Sequence, residues 1–254
     1  MFQTAYSLSQ QQRRNIFPTG NSVLDTLLEG GYEPGLSYLL YGSQHCTCLL
    51  QQSVAHALQQ VTQKQGVALI DANNGIRPNL ILSHLQAIRL PYPPATYLNR
   101  LYIARAFTTD QLLSLLEDTP DTIQDQKAPI LFVNGFTHLL REEEEGETTP
   151  SFQPGTPPHP RVYQRAQLAA LLKHLAFTQQ VAVVVSADAP KRSSQPPLRI
   201  GQSAFHRFHV LIRHSQLNHV ETFILEKHPS RPWMQRSTVT SGTHRRFGMH
   251  QTTL

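Results

Sequence analysis

Thirteen histidines, two cysteines and an uneven spread of charge are the parts of this 254-residue chain that could do chemistry. His45, Cys46 and Cys48 stand close enough to suggest a soft-metal site. Structural zinc takes four ligands, however, and its paired cysteines are usually two to four residues apart. One intervening residue and no second pair leave this cluster short, so no metal is expected. His206, His209, His214 and His219 bracket a strand and hairpin at surface-like positions, where solvated rings or rings stacked on bases are expected. The serines, histidines and aspartates lack nucleophile-elbow spacing, and hydrolase chemistry has no support. Charge says more. Residues 1–186 carry 12 Lys+Arg against 14 Asp+Glu, a net of −2, whereas residues 187–254 carry 10 against 3, a net of +7. A polyanion would dock most naturally on that basic third; a solvated basic tail is the alternative.

The elements that must position these residues alternate in type. With 39% apolar residues the chain can bury a real core. Leu36–Tyr41, Val67–Asp71, Leu101–Ala104, Ile130–Asn134 and Val181–Ser186 read as strands. Most are continuous apolar runs, as strands buried on both faces require. Between them, Leu50, Val54, Leu58 and Val61 mark one helix face. Leu112, Leu113, Leu115 and Leu116 mark another behind an N-cap at Thr109 or Asp110, and a third helix runs from Tyr163 to Gln179. Such alternation implies a parallel sheet with helical crossovers. Phe208–Ile212 and Val220–Leu225 read as a late hairpin. Arg141–Pro160, with Glu142 to Glu145 and five prolines, reads as a loop, as does the basic Ala189–Ser203. The longest apolar runs are too short to cross a bilayer, so no membrane association is expected. Met1–Gln12 is polar and unlike a secretory signal. Two cysteines one residue apart make a poor disulfide framework, which points to a reducing compartment: the cytoplasm, or the nucleus in a eukaryote.

The order of motifs is specific. Thr19-Gly20 opens a stretch in which Leu24-Asp25-Thr26-Leu27-Leu28 precedes Gly30-Gly31 and the first strand. Leu69-Ile70-Asp71 is followed by Arg77-Pro78. Arg105-Ala106-Phe107 leads into a leucine-rich helix, Leu131-Phe132-Val133-Asn134 ends the fourth strand, and a long helix runs into Val181–Ser186. Together these resemble the RecA/RadA-type strand-exchange recombinase family, from about Phe2 to about Pro232. The resemblance implies an α/β fold, a RecA-like three-layer sandwich with a mostly parallel central sheet and a C-terminal hairpin. It divides the chain into a linker at 1–18, a core at 19–232 and a basic tail at 233–254.

The family's phosphate loop is glycine-x-x-x-x-glycine-lysine-serine/threonine: backbone N–H groups cradle phosphate, the lysine neutralises it and the hydroxyl binds magnesium. Here Gly42-Ser43-Gln44-His45-Cys46-Thr47-Cys48-Leu49 keeps only the first glycine. Without a gap, Thr47, Cys48 and Leu49 stand at the glycine, lysine and hydroxyl positions. Sliding by one residue aligns the helix better but supplies no lysine. Lys64, the first lysine in the chain, lies about 24 Å along a helix from Cys48. The family's water-activating glutamate corresponds to Asn73, and its metal-supporting aspartate to Asn134. Asparagine is neither a general base nor a charged magnesium ligand. The resemblance therefore implies a degenerate nucleotide site at Gly42, Thr47, Cys48, Asn73 and Asn134, with no catalytic residues and no cofactor; ATP and magnesium are not favoured.

Phe2-Gln3-Thr4-Ala5 matches the phenylalanine-x-x-alanine element by which family members enter a neighbouring subunit, so Phe2 and Ala5 are the expected interface residues. Of the family's two DNA loops, the first corresponds to Arg141–Pro160, whose glutamates would repel phosphate. The second corresponds to Ala189–Ser203, with Lys191, Arg192 and Arg199 as the expected DNA contacts. The function this implies is a non-catalytic, recombinase-like subunit in DNA repair or homologous recombination, partnered by DNA and by a RecA/RadA-like recombinase or its own copies. Two alternatives stay open: a divergent DNA-dependent ATPase, and a structural interaction protein without a DNA role.

Overall fold

A computed structural model describes residues 16–139, 160–187, 205–217, 220–231 and 235–240. Eight strands form one sheet in the order β3-β2-β4-β5-β1-β6-β7-β8: β1 (Ser37–Tyr41), β2 (Val67–Asp71), β3 (Leu101–Arg105), β4 (Ile130–Asn134), β5 (Ala182–Ala187), β6 (Val210–Leu217), β7 (Val220–Lys227) and β8 (Gln235–Thr240). The pairings from β3 through β6 are parallel, and β7 and β8 close the far side antiparallel. β1, β2, β4 and β5 are buried along their whole length, which their unbroken apolar runs demand.

Helices cover both faces. On one side lie α1 (Ser22–Leu27), α2 (Cys46–Gln60), α3 (Pro78–Ala87) and α4 (Pro94–Leu98); on the other lie α5 (Thr109–Asp125) and α6 (Pro160–Gln179). Strand residues alternate between these layers. Tyr38 and Leu40 join Leu50, Leu58 and Ile81, whereas Leu39 and Tyr41 join Leu112, Leu168 and Leu172. Two apolar layers sharing one sheet make the three-layer α/β sandwich expected from sequence, with its late hairpin at β6 and β7.

Several boundaries differ. Thr108, not Thr109 or Asp110, caps α5: its side chain accepts from Gln111 N at 3.2 Å. α6 begins at Pro160 rather than Tyr163, since proline fits the first turn of a helix, where its missing N–H costs nothing. Pro78 opens α3 in the same way, where the sequence suggested only a loop after Arg77. The hairpin strands run about two to five residues longer than their apolar cores, through polar Arg213–Gln216. β8 extends the sheet beyond residue 232, and Gln235–Thr240 pair with β7. No helix among the described residues is long and apolar enough to cross a membrane.

Candidate functional site

Parallel register brings the candidate residues together. Asp71, the last residue of β2, pairs with Asn134, the last residue of β4, and β5 ends alongside at Ser186 and Ala187. The loop after β1 turns at Gly42 and enters α2 at Cys46, which presents Thr47 to the same point.

Asn134 is fully buried and is the hub. Its amide nitrogen donates to Asp71 Oδ1 at 2.9 Å and to Asn73 Oδ1. Its oxygen accepts from Thr47 Oγ1 at 3.0 Å and from Ser186 Oγ at 2.8 Å. A primary amide offers two donors and two lone pairs, and all four are used. Asp71 accepts two further hydrogen bonds: Oδ1 also accepts from Gly75 N at 3.2 Å, Oδ2 accepts from Ile76 N at 3.0 Å, and Arg105 Nε lies 4.0 Å from Oδ2. Gly135 (φ +74) lets the chain pass Asn73, since a Cβ there would lie 2.6 Å from that side chain.

The loop itself is turned inward. Gly42 holds φ +110, and a Cβ on it would meet the His214 carbonyl oxygen at 2.5 Å, so the chain crosses β6 where no side chain fits. Ser43 Oγ pairs with His214 Nδ1 at 2.6 Å and accepts from His45 N at 3.1 Å, while Cys46 N donates to Ser43 O. Two backbone N–H groups of the loop are thus taken by Ser43. His214 is fully buried rather than at the surface, as the sequence suggested, because β6 is covered on both faces at that point. Burial, with His45 adding to it, pushes its pKa down to about 4. Nearby, Tyr41 donates its phenol to Glu226, which also pairs with Arg213 Nε at 2.8 Å. Burial and that carboxylate raise the phenol's pKa.

These residues do not fit a magnesium–nucleotide pair. No lysine stands in the loop or in α2, Asn134 carries no charge and no unused lone pair, and Ser43 occupies two N–H groups of the cradle. The hydroxyl that meets the end of β4 belongs to Thr47, while Leu49, its gapless counterpart, is buried core. Thr47, which the gapless alignment sets at the family's second glycine, is thus the hydroxyl beside Asn134. Cys46 is buried and Cys48 exposed, so Cys48 takes no part in the network. Among the described residues no cluster of three His, Cys, Asp or Glu side chains could hold a metal. Lys191, Arg192, Arg199, Phe2, Ala5 and His219 lie outside the described residues. Sequence reasoning missed Ser186, although a hydroxyl ending an otherwise apolar strand beside Asn134 was its signal.

The family model described as Rad51 matches residues 11–194. The chain belongs to the Rad51 family. Relatives include the DNA repair and recombination protein RadA of Cenarchaeum symbiosum, 27% identical over 55% of this chain and 36% of that protein. The DNA repair protein RAD51 homolog 4 of Mus musculus is 32% identical over 67% of this chain and 51% of its own length. The DNA repair protein RAD51 of Saccharomyces cerevisiae is 29% identical over 66% and 41%. The chain spans about half or less of the length of these Rad51-family relatives.

Proposed function

We propose that this chain is a Rad51-family subunit of DNA repair and homologous recombination that does not hydrolyse ATP, and that acts by joining a catalytic relative, or its own copies, on DNA. The observation that carries this reading is the saturated Asn134 amide. A magnesium ion at the end of β4 would have to displace the hydrogen bonds that Thr47 and Ser186 donate to the Asn134 oxygen to reach a neutral ligand, with no lysine beside it to neutralise phosphate. The names of the relatives, all DNA repair proteins, support the process.

Assembly through the sheet edge is supported by β3. Among the described residues it is one of the two edge strands, and Tyr102 and Ile103 on it are exposed, as is Phe107 just beyond. An unpaired edge with apolar side chains accepts an extended segment as a further strand. The segment bearing Phe2 and Ala5 has the matching chemistry. DNA would meet the basic third, at Lys191, Arg192 and Arg199 first.

The test is turnover and stabilisation together. The full chain should show no ATP hydrolysis above background and no rise in melting temperature in millimolar magnesium-ATP. A ligand held by the folded state at 100 times its dissociation constant would add about 2.7 kcal/mol. A clear rise would end the claim about binding, and DNA-stimulated turnover would favour the divergent-ATPase alternative.

A further inference from the structure

At the opposite end of the sheet, the C-terminal half of α6 and the segment leading into β6 flank an open pocket of about 330 Å³, lined by Ala170, Lys173, His174, Phe177, Arg207 and His209. The four α6 residues recur at helical spacing, so they form one stripe, while Leu168, Leu172 and Leu175 bury another face in the core. Phe177 is 66% exposed, a large ring left open among the described residues. Lys173 and Arg207 are exposed and have no ion-pair partner among the described residues. Behind them Lys227 donates to the carbonyls of His206 and Phe208, both at 2.7 Å. His209 Nδ1 accepts from Ser37 N at 3.0 Å, which puts the ring proton on Nε2. Burial, then Lys173 and Lys227, lowers the pKa of that ring.

We propose that this cavity docks an acidic peptide segment of a partner protein, with one aromatic or aliphatic side chain seated against Phe177 and Ala170 and flanking carboxylates on Lys173 and Arg207. Charge complementarity sets the sign of the partner, since the rim is cationic and no acidic side chain answers it among the described residues. Shape favours a peptide over a nucleic-acid strand. The site is a single pocket with one phenyl ring beside two imidazoles, not a long groove that tracks a backbone. It is also separated from the carboxyl ends of the strands, where the loops after β4 and β5 leave the sheet, by the length of a five-residue strand, about 17 Å.

Fluorescence anisotropy on the full chain tests this with a labelled ten-residue peptide of Asp and Glu around one central Phe. An Ala-centred peptide and a twelve-nucleotide oligothymidine are the comparison probes. The Phe peptide should bind, the Ala peptide should bind at least fivefold more weakly, and the Lys173→Glu/Arg207→Glu pair should weaken the Phe peptide at least tenfold. Phe177→Ser should remove the difference between the two peptides, and oligothymidine binding should be the same in all variants. Every substituted residue is exposed, and unchanged melting curves confirm the fold. Equal peptide affinity in parent and variants, or no peptide binding at millimolar concentration, overturns the proposal. So does oligothymidine binding that falls with the charge reversal, which would make this a nucleic-acid face. None of these readouts depends on ATP turnover or on recombination.

Discussion

The two ends of the sheet treat polar groups in opposite ways. At the carboxyl ends of β2, β4 and β5, Asn134, Asp71 and Ser186 bond to one another and to backbone N–H groups. At the amino ends of β1 and β6, Lys173 and Arg207 stand over an apolar cavity without an acidic partner among the described residues. A polar group satisfied internally gains little from a ligand, because each new bond replaces one already made. An unanswered charge beside exposed carbon gains from both. The end of the fold where a Rad51-family ATPase would be expected to work is thus the self-contained end, and the end with recruiting chemistry is the other one.

The most direct way to break this contrast is Asn134→Asp. A carboxylate there would face the buried Asp71 carboxylate across the present 2.9 Å hydrogen bond. Urea unfolding at pH 7.5 should show a loss of about 3 kcal/mol relative to the parent. Two adjoining carboxylates hold a proton more tightly than in the unfolded chain, so the folded variant binds more protons. Its deficit should shrink as the pH falls toward 5. A variant as stable as the parent at neutral pH would mean that the network is loose enough to admit a cation.

Ser186→Ala should cost less, about 1–3 kcal/mol, by leaving Gly135 N and one Asn134 lone pair without a partner in a dry site. The same denaturation measurement checks it. A separate contribution should appear as pH dependence. Burial pushes His214 and His228 down to about 4, with His45 and Arg231 respectively adding to the shift. In the unfolded chain both take up protons below about 6.5. Their stabilising share is complete above that value and is lost as the pH falls from about 6.5 to 4. Melting temperature should drop through this window, and His214→Asn should flatten the drop. The least effect belongs to the open end: Lys173→Glu with Arg207→Glu should shift stability by no more than about 0.5 kcal/mol, since exposed charges far from packing rarely matter to folding.

Most of the sheet was legible because its central strands are buried on both faces and must be apolar throughout, as Val67–Asp71 and Ile130–Asn134 are. What was illegible had no such constraint. β8 is Gln-Arg-Ser-Thr-Val-Thr, an outer strand with no apolar run to announce it. α3 buries only Ile81 and Leu85, too few to mark a periodic face. In the candidate site, Asn73 and Asn134 could be found from spacing and resemblance, because strand ends are fixed points. The hydroxyl position could not. The gapless alignment sets Leu49 there and Thr47 at the glycine, and the contact of Thr47 with Asn134 is visible only in the structure. His214 was misplaced because one histidine in a half-polar strand carries no mark of the ring that covers it, here Phe223 at 4.8 Å.

The position of β1 also sets a timetable. Its neighbours in the sheet are β5 and β6, so Ser37 waits for Val183, 146 residues further along, and Tyr38 waits for Val210. At a synthesis rate of about 5–20 residues per second, that interval is roughly ten to thirty seconds. Throughout it, Tyr38, Leu39 and Leu40 have neither lateral partner and offer two bare edges to any other nascent strand. Closure of such distant pairs is the slow step of folding. Until residue 213 has emerged, the strand at the middle of the sheet lacks the full complement of its two lateral partners.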